Sequence, residues 1–344
     1  MRELIYVAPK KLEWRESAAP TIENSKQALV RPIAVATCDL DSAIVHGRTP
    51  FPAPFALGHE SVGQVIEVGD AVTGVRPGDR VVVPFQPSCG TCVFCARGLT
   101  SNCVSVPRTS MYGIGAAGGN WGGTLADLIR VPFADHMLVK LDPCISPSVA
   151  ASAGDNIADA WRTVAPPLGR RPGASVLILS GSETGGGSIP LYAVCIALAL
   201  GAETVDFFCG NQQRVDKART IGANAELVKD WPKRLGSYAV TVDSSGSKDG
   251  LACALRSTEP GGYCTSTSMY FDDLVPVPTL EMYMKGITLS TGRVNSRTVL
   301  PDVLELIQSR RILPELVTTE EARWDEAAEA LLNYTTKLII SRDS

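Results

Sequence analysis

A chain of 344 residues, 45% apolar and 20% charged, is long enough for two domains that each bury a core. Its net charge of -4 excludes the clustered basic surface that a nucleic acid needs. The longest apolar stretch, 189–202, is too short to span a bilayer, and ten cysteines without an export-like N-terminus point to a reducing, cytoplasmic compartment.

Residues 1–37 read as short strands broken by Pro20 and by a Glu-Asn-Ser turn at 23–25. RPIAVATC then delivers Cys38 at a strand end, where a cysteine is ordinarily a small core residue. The proline-rich segment that follows, up to Gly58, is a long irregular loop, and such loops tend to carry function. From Gly58-His59-Glu60 onward, alternating Val and Ile are punctuated by Gly-Asp and Pro-Gly turns, the pattern of a small antiparallel barrel. A histidine in a strand is ordinarily a buried, hydrogen-bonded side chain. Cys38 upstream and a cysteine cluster downstream make His59 a candidate metal ligand.

That cluster reads C-x2-C-x2-C-x7-C through Cys89, Cys92, Cys95 and Cys103. Four thiolates complete the tetrahedral shell of zinc and leave no open position, so such a site ties a loop together without doing chemistry. Two disulfides or an iron–sulfur cluster are the alternatives. The first needs an oxidising compartment, and the second uses other spacings.

The Gly-rich run after the cysteines turns strand-like. Trp121 within it either lines a pocket or packs on the turn, and His136 has no ligand partner near it in sequence and reads as structural. Residues 145–165 look helical. Asp155 falls inside them and, judged alone, belongs on a solvent face with Asp159 one turn on. From Gly173 the chain alternates strand and helix, as in a parallel sheet covered on both faces. SVLILSG is a buried strand, SETGGGSIP a glycine-rich turn, and LYAVCIALALGA a helix. That context identifies a dinucleotide fingerprint: Gly185 and Gly187 let the backbone approach a diphosphate, and Ser188 and Ile189 open the helix behind it. Pro190 stands where the third glycine is usual, and the turn is longer than usual. VLPDVLELIQSRRI and DEAAEALLNYTT have helical spacing, and KLIIS is a closing strand.

Cys38, the GHE triplet at 58–60, the PGDRV turn at 77–81, the four-cysteine loop, Asp155, GGGSIP at 185–190 and VDSSG at 242–246 together resemble the zinc-containing medium-chain alcohol dehydrogenases. The resemblance implies an α/β architecture, with a GroES-like β-rich catalytic domain (1–152 and 297–344) and a Rossmann doubly wound parallel-sheet cofactor domain (153–296). It also implies a catalytic zinc on Cys38, His59 and Asp155, with Glu60 as an occasional ligand. A structural zinc on Cys89, Cys92, Cys95 and Cys103 makes two zinc ions per chain. Homodimers or homotetramers, with a contact near KGITLSTGRVNSR, and a small-molecule substrate complete what it implies.

The chain departs from the family at the proton path, where Ser or Thr two residues after the first zinc-binding cysteine, and often His five after it, are replaced by Leu40 and Ala43. Neither relays a proton. Asp39, Asp41 and His46 are the nearby substitutes. The expected activity is hydride transfer between a nicotinamide and an alcohol or carbonyl. Reduction of a conjugated C=C or an imine is the alternative, as is a catalytically silent nucleotide-binding relative. NAD sites usually end the second strand with Asp or Glu. Here Cys209 holds that place, followed by Gly210, Asn211 and Arg214, so NADP(H) is expected over NAD(H), unless Arg214 is merely a solvated helix-start charge.

Overall fold

The computed structural model describes residues 1–182 and 185–342. Glu183 and Thr184, which belong to the expected lengthening of the glycine-rich turn, lie outside the described residues. The chain divides into two units, Met1–Ala158 with Val294–Arg310 and Thr318–Ser344, and Asp159–Arg293 with Arg311–Val317.

In the first unit the β-branched stretches form strands whose inward residues make a barrel-like core. The strands are β1 (Arg2–Ala8), β2 (Lys11–Glu16), β3 (Ala28–Ala36), β4 (Phe55–Ala56), β5 (Glu60–Val68), β6 (Arg80–Val83), β7 (Ile129–Val131) and β8 (Val139–Lys140). Val30, Val65, Val81, Val83, Ile129 and Val131 fill one core cluster. Strand β3 pairs antiparallel with β5, setting Ala36 opposite Glu60. Cys38 therefore leaves the sheet beside the strand on which His59 enters it.

The second unit is a parallel sheet of β9 (Val176–Ser180), β10 (Val205–Cys209), β11 (Asn224–Leu227), β12 (Tyr238–Ser244), β13 (Thr258–Ser266) and β14 (Thr288–Ser290). Their order is β11-β10-β9-β12-β13-β14, the 3-2-1-4-5-6 arrangement of doubly wound dinucleotide-binding sheets. All five residues of β9 are buried, as a central parallel strand requires. The helix Ser188–Ala199 follows it and is buried through nearly its whole length.

The chain then returns to the first unit. Strand β15 (Glu320–Arg323) pairs with β16 (Leu338–Ser341), which pairs antiparallel with β3. KLIIS thus closes the sheet next to Cys38. Residues 153–158, expected in the cofactor domain, pack with the first unit, because the 3-10 turn Ala151–Gly154 lies against β5 and β6.

The segment 145–165 is not one helix. A short helix Pro147–Ala150 runs into that 3-10 turn, and Asp155 breaks it with φ -147 and ψ -84 before the helix Asn156–Arg170 begins. The break corrects the solvent-face reading of Asp155, whose side chain is buried.

Candidate metal and cofactor sites

Cys38, His59, Glu60 and Asp155 converge within the first unit, each offering one donor atom within 4.8 Å of the others. A tetrahedral shell with zinc bonds of about 2.0–2.3 Å spaces its donors roughly 3.3–3.8 Å apart, so the cluster has the dimensions of a metal site. His59 reaches it because Gly58 adopts φ +89, where a side chain would collide with Thr124 Oγ1 and Leu125 N. The imidazole is 1% exposed, and neither ring nitrogen has a hydrogen-bond partner. Nε2 lies 3.3 Å from Asp155 Oδ2, and Nδ1 lies 3.8 Å from Asp41 Oδ1. A buried imidazole with no hydrogen bond is costly unless something else takes its lone pair.

The electrostatics agree. Burial, then the charges of Asp155, Glu60 and Asp41, push the Cys38 thiol well above its ordinary value. Burial raises the Glu60 carboxyl to about 8, against the pull of Lys337. Burial opposes the charge on His59, but Asp41 and Asp155 outweigh it and raise the imidazole to about 9. Groups that hold protons so firmly surround a place short of positive charge, and a divalent cation displaces such protons on binding. The residues fit zinc, with Cys38, His59 and Asp155 as the donors that can hold it and Glu60 within reach.

Two neighbours were not legible as members of this site. Asp41, buried at the start of the short helix Asp41–Val45, accepts from Cys38 N at 2.7 Å through Oδ2 and turns Oδ1 to His59. Its spacing after Cys38 was visible, yet its function there reads as the carboxylate that orients a ligating histidine. Lys337 is 0% exposed and donates to Glu60 Oε2 at 2.9 Å and to the carbonyl of Thr37. The Phe85 ring lies 6.0 Å from His59 between centroids.

The expected relay positions carry no hydroxyl. Leu40 packs against the core cluster that contains Ile44 and Phe55, and its backbone N–H points at Cys38 Sγ at 3.5 Å. Of the substitutes, Asp39 accepts from the Asn156 amide, and His46 Nδ1 lies 2.8 Å from the Ser42 carbonyl. Trp121 lines a cavity of ≈ 270 Å³ with Met1, Glu3, Pro20 and Leu128, none of them a zinc-site donor. Its indole also donates to Ser110 Oγ at 3.1 Å.

Cys89, Cys92, Cys95 and Cys103 form the second donor cluster. Cys92 Sγ and Cys103 Sγ stand 3.9 Å apart, far beyond a disulfide bond, and all ten cysteines are free. Burial opposes the Cys89 thiolate, yet hydrogen bonds from Ser105 and from the Thr91 and Cys92 backbone bring it down to about 5. His136 braces the loop through Ser88 Oγ at 3.1 Å.

In the second unit the glycine-rich turn ends on Gly187, which precedes the helix with φ +87. Pro190 sits in the first helical turn, where its missing N–H removes no bond. Cys209 is wholly buried at the end of β10, its thiol donating to Gly181 O and accepting from Asn211 N, both at 3.3 Å. Asn211 caps the helix Gln212–Ile221 by accepting from Arg214 N. Arg214 corrects both sequence expectations for it. It is neither a solvated charge nor an outward donor, being 1% exposed with Nη1 donating to Gly181 O at 2.8 Å and Ser180 Oγ at 3.3 Å. A side chain at Gly187 would strike this guanidinium at 2.4 Å. Gly210 lies against Ser182 instead of facing open space.

Residues 24–143 match the model of the alcohol dehydrogenase GroES-like domain. The chain is similar to a probable zinc-binding alcohol dehydrogenase of Mycobacterium tuberculosis, 30% identical over 316 residues, covering 90% of this chain and 79% of that protein. It is 24% identical to an uncharacterized zinc-type alcohol dehydrogenase-like protein of Bacillus subtilis, over 98% of this chain and 97% of that one. Among solved structures, alcohol dehydrogenase TADH from Thermus sp. ATN1 superposes with a TM-score of 0.87 at 28% identity, covering 100% of both chains. Among the described residues, no helix is long and apolar enough to cross a membrane.

Proposed function

Since this chain belongs to the zinc-binding medium-chain dehydrogenase/reductase family, we propose that it transfers a hydride between NADP(H) and a small alcohol or carbonyl compound, with Cys38, His59 and Asp155 holding the catalytic zinc. It is a zinc-dependent, nicotinamide-linked oxidoreductase. The observation that carries the site assignment is His59: a buried imidazole without hydrogen bonds, set among a thiol and two carboxylates. Cys38, His59 and Asp155 would hold a zinc ion that would supply Lewis-acid polarisation of the substrate oxygen, and a bound nicotinamide would supply the hydride chemistry.

The chain's own residues supply orientation and exclusion of water. Asp41 sets its charge beside His59 Nδ1, Phe85 presents an apolar face beside the ring, and Leu40 keeps the flank next to Cys38 apolar. Cys89, Cys92, Cys95 and Cys103 hold a structural zinc that secures the following loop. In the second unit, Gly185, Gly187, Ser188 and Ile189 receive the diphosphate at the helix N-terminus.

The preference for NADP(H) rests on the end of β10, where Cys209, Gly210 and Asn211 offer no carboxylate to the adenosine ribose. Fluorescence titration with NADPH and NADH tests it, and tighter binding of NADH would overturn it. Leu40 and Ala43 favour a second reading of the substrate: a conjugated C=C or an imine, whose proton need not pass along the usual path. Turnover of simple alcohols at rates matching those of enones or imines would remove that reading. A catalytically silent relative is disfavoured by the complete donor set.

We place the protein in the cytoplasm as a homo-oligomer. Leu274, Leu280, Tyr283 and Met284 are 73–83% exposed in the segment that leads into β14, the edge strand of the parallel sheet. A sheet edge preceded by a run of exposed apolar side chains suits a second copy of the same chain.

A further inference from the structure

Asp243, near the end of β12, is 0% exposed and has no part in the sites described above. Four donors converge on its carboxylate. Oδ1 accepts from Ser245 N at 3.1 Å and Ser245 Oγ at 2.6 Å, and Oδ2 accepts from Ser266 Oγ at 2.7 Å and Tyr270 OH at 3.0 Å. One buried group thus ties the turn after β12 to the last residue of β13 and to the irregular segment beyond it. Tyr270 is the member that this segment contributes. Its neighbours Met269 and Phe271 are 57% and 55% exposed, whereas Tyr270 turns inward and packs against the core cluster that contains Leu251 and Cys264. Its hydroxyl also lies 3.1 Å from Ser247 O, so one proton is shared between Asp243 and the far end of the turn. Burial, and then the charge of Asp243, push that hydroxyl above its ordinary value, which keeps it a donor.

The turn held in this way, 245–247, stands at the mouth of the sheet. Strand β12 lies beside β9, and the strand order reverses between them, which is where doubly wound sheets bind their ligand. Gly181, the residue after β9, donates its N–H to Ser244 O at 3.1 Å, and a Cβ there would meet Ser245 O at 2.6 Å. The turn therefore abuts the start of the glycine-rich segment. In a sheet of this order β9–β11 form one mononucleotide-binding half and β12–β14 the other. The end of β10 faces the adenosine ribose, so the β12 turn belongs to the nicotinamide half. We propose that Tyr270 is a positioning residue for the cofactor: acting through Asp243, it holds the turn 245–247 in the shape that receives the nicotinamide nucleotide. The inference rests on the dinucleotide reading of the second unit.

The test uses the full-length protein and two probes: NADPH or NADH, whichever binds more tightly, and its adenosine fragment, 2′,5′-ADP or ADP. Tyr270→Phe keeps the ring and removes the hydroxyl. A hydrogen bond to a buried carboxylate is stronger than one between neutral groups, so dinucleotide affinity, by fluorescence titration, should fall at least about fivefold. Affinity for the fragment, by calorimetry, should stay within about twofold, since the strands that bind it are distant from the change. Asp243→Asn should weaken the dinucleotide in the same selective way. Adding Tyr270→Phe to it should cost at most about twofold more, because the two residues act in series. Where Asp243→Asn does not fold, Tyr270→Phe alone decides. No loss of dinucleotide affinity in Tyr270→Phe, or an equal loss for dinucleotide and fragment, would overturn the inference while leaving the dinucleotide reading intact. Fully additive losses in the double variant would do the same. If the parent binds neither dinucleotide nor fragment, the dinucleotide reading itself fails, and the inference with it.

Discussion

Asp41 Oδ1 faces His59 Nδ1 at 3.8 Å while Asp41 Oδ2 holds the backbone N–H of Cys38 at 2.7 Å, so one buried carboxylate touches two candidate metal ligands, one just after β3 and one just before β5. Such outer partners fix the ring orientation of a ligating histidine and raise its basicity. Asp41→Asn keeps the shape but loses the charge. We expect it to lower zinc affinity at the catalytic site about 10–100-fold, measured by competition with a chelator. Unchanged affinity would mean that the carboxylate serves the fold alone.

Metal content gives the second prediction. Protein purified without added metal should contain two zinc ions per chain by elemental analysis, as two separate donor clusters require. Cys38→Ala should remove one of them with the fold intact. Cys103→Ser should remove the other and lower the thermal midpoint, because a closed structural site contributes its binding free energy directly to folding. Retention of both ions in Cys38→Ala would place the catalytic metal elsewhere.

Leu40→Ser tests the missing proton path. Leu40 packs against the core next to Cys38, so exchanging it for Ser should cost about 1–3 kcal/mol of stability. A hydroxyl restored at one position, with Ala43 still unable to continue the path, should raise alcohol oxidation modestly or not at all. A complete acid–base path is worth about 10²–10⁴-fold, so a gain on that scale would show that position 40 was the sole interruption.

Gly187 combines a left-handed backbone with a close approach to Arg214, where an added Cβ would meet Nη1 at 2.4 Å. Gly187→Ala should therefore cost about 1–3 kcal/mol in backbone strain and displace the guanidinium. NADPH affinity, followed by fluorescence, should fall at least about tenfold, the equivalent of about 1.4 kcal/mol, while zinc content stays at the parent level. Normal NADPH binding would show that the turn tolerates the side chain and that Arg214 does not set the cradle.

Burial alters one expectation at β10. With its thiol inside the fold, 3.3 Å from the carbonyl of Gly181, Cys209→Asp would set a carboxylate against a carbonyl oxygen. Its main effect should be lost stability, visible in thermal melting, rather than a clean switch of nucleotide. A fully stable variant that exchanges NADPH for NADH would contradict this.

The periodicity of Val and Ile, the glycine turns and the strand–helix alternation determined the two architectures, because local pattern and turn chemistry alone decide which segments become strands. The four-cysteine loop was legible for a similar reason: all its donors lie within fifteen consecutive residues, and their spacing itself encodes the site. The catalytic cluster needed more. Cys38, His59 and Asp155 come from a strand end, a glycine-led strand and a break between two helical segments, and only pairing of β3 with β5 and burial of the turn at 151–154 bring them together. Lys337 left no local signal beyond a charge preceding an apolar strand. Its partnership with Glu60, 277 residues away, exists because β16 returns to pair with β3. Arg214 likewise read from the sequence as a donor to a cofactor phosphate or else a solvated helix-start charge, and the tertiary fold turned it under the glycine turn. Local sequence sets what each segment becomes. Which charges meet in the interior depends on contacts between distant strands, where an unpaired buried charge costs so much that its partner must come from wherever the fold supplies one.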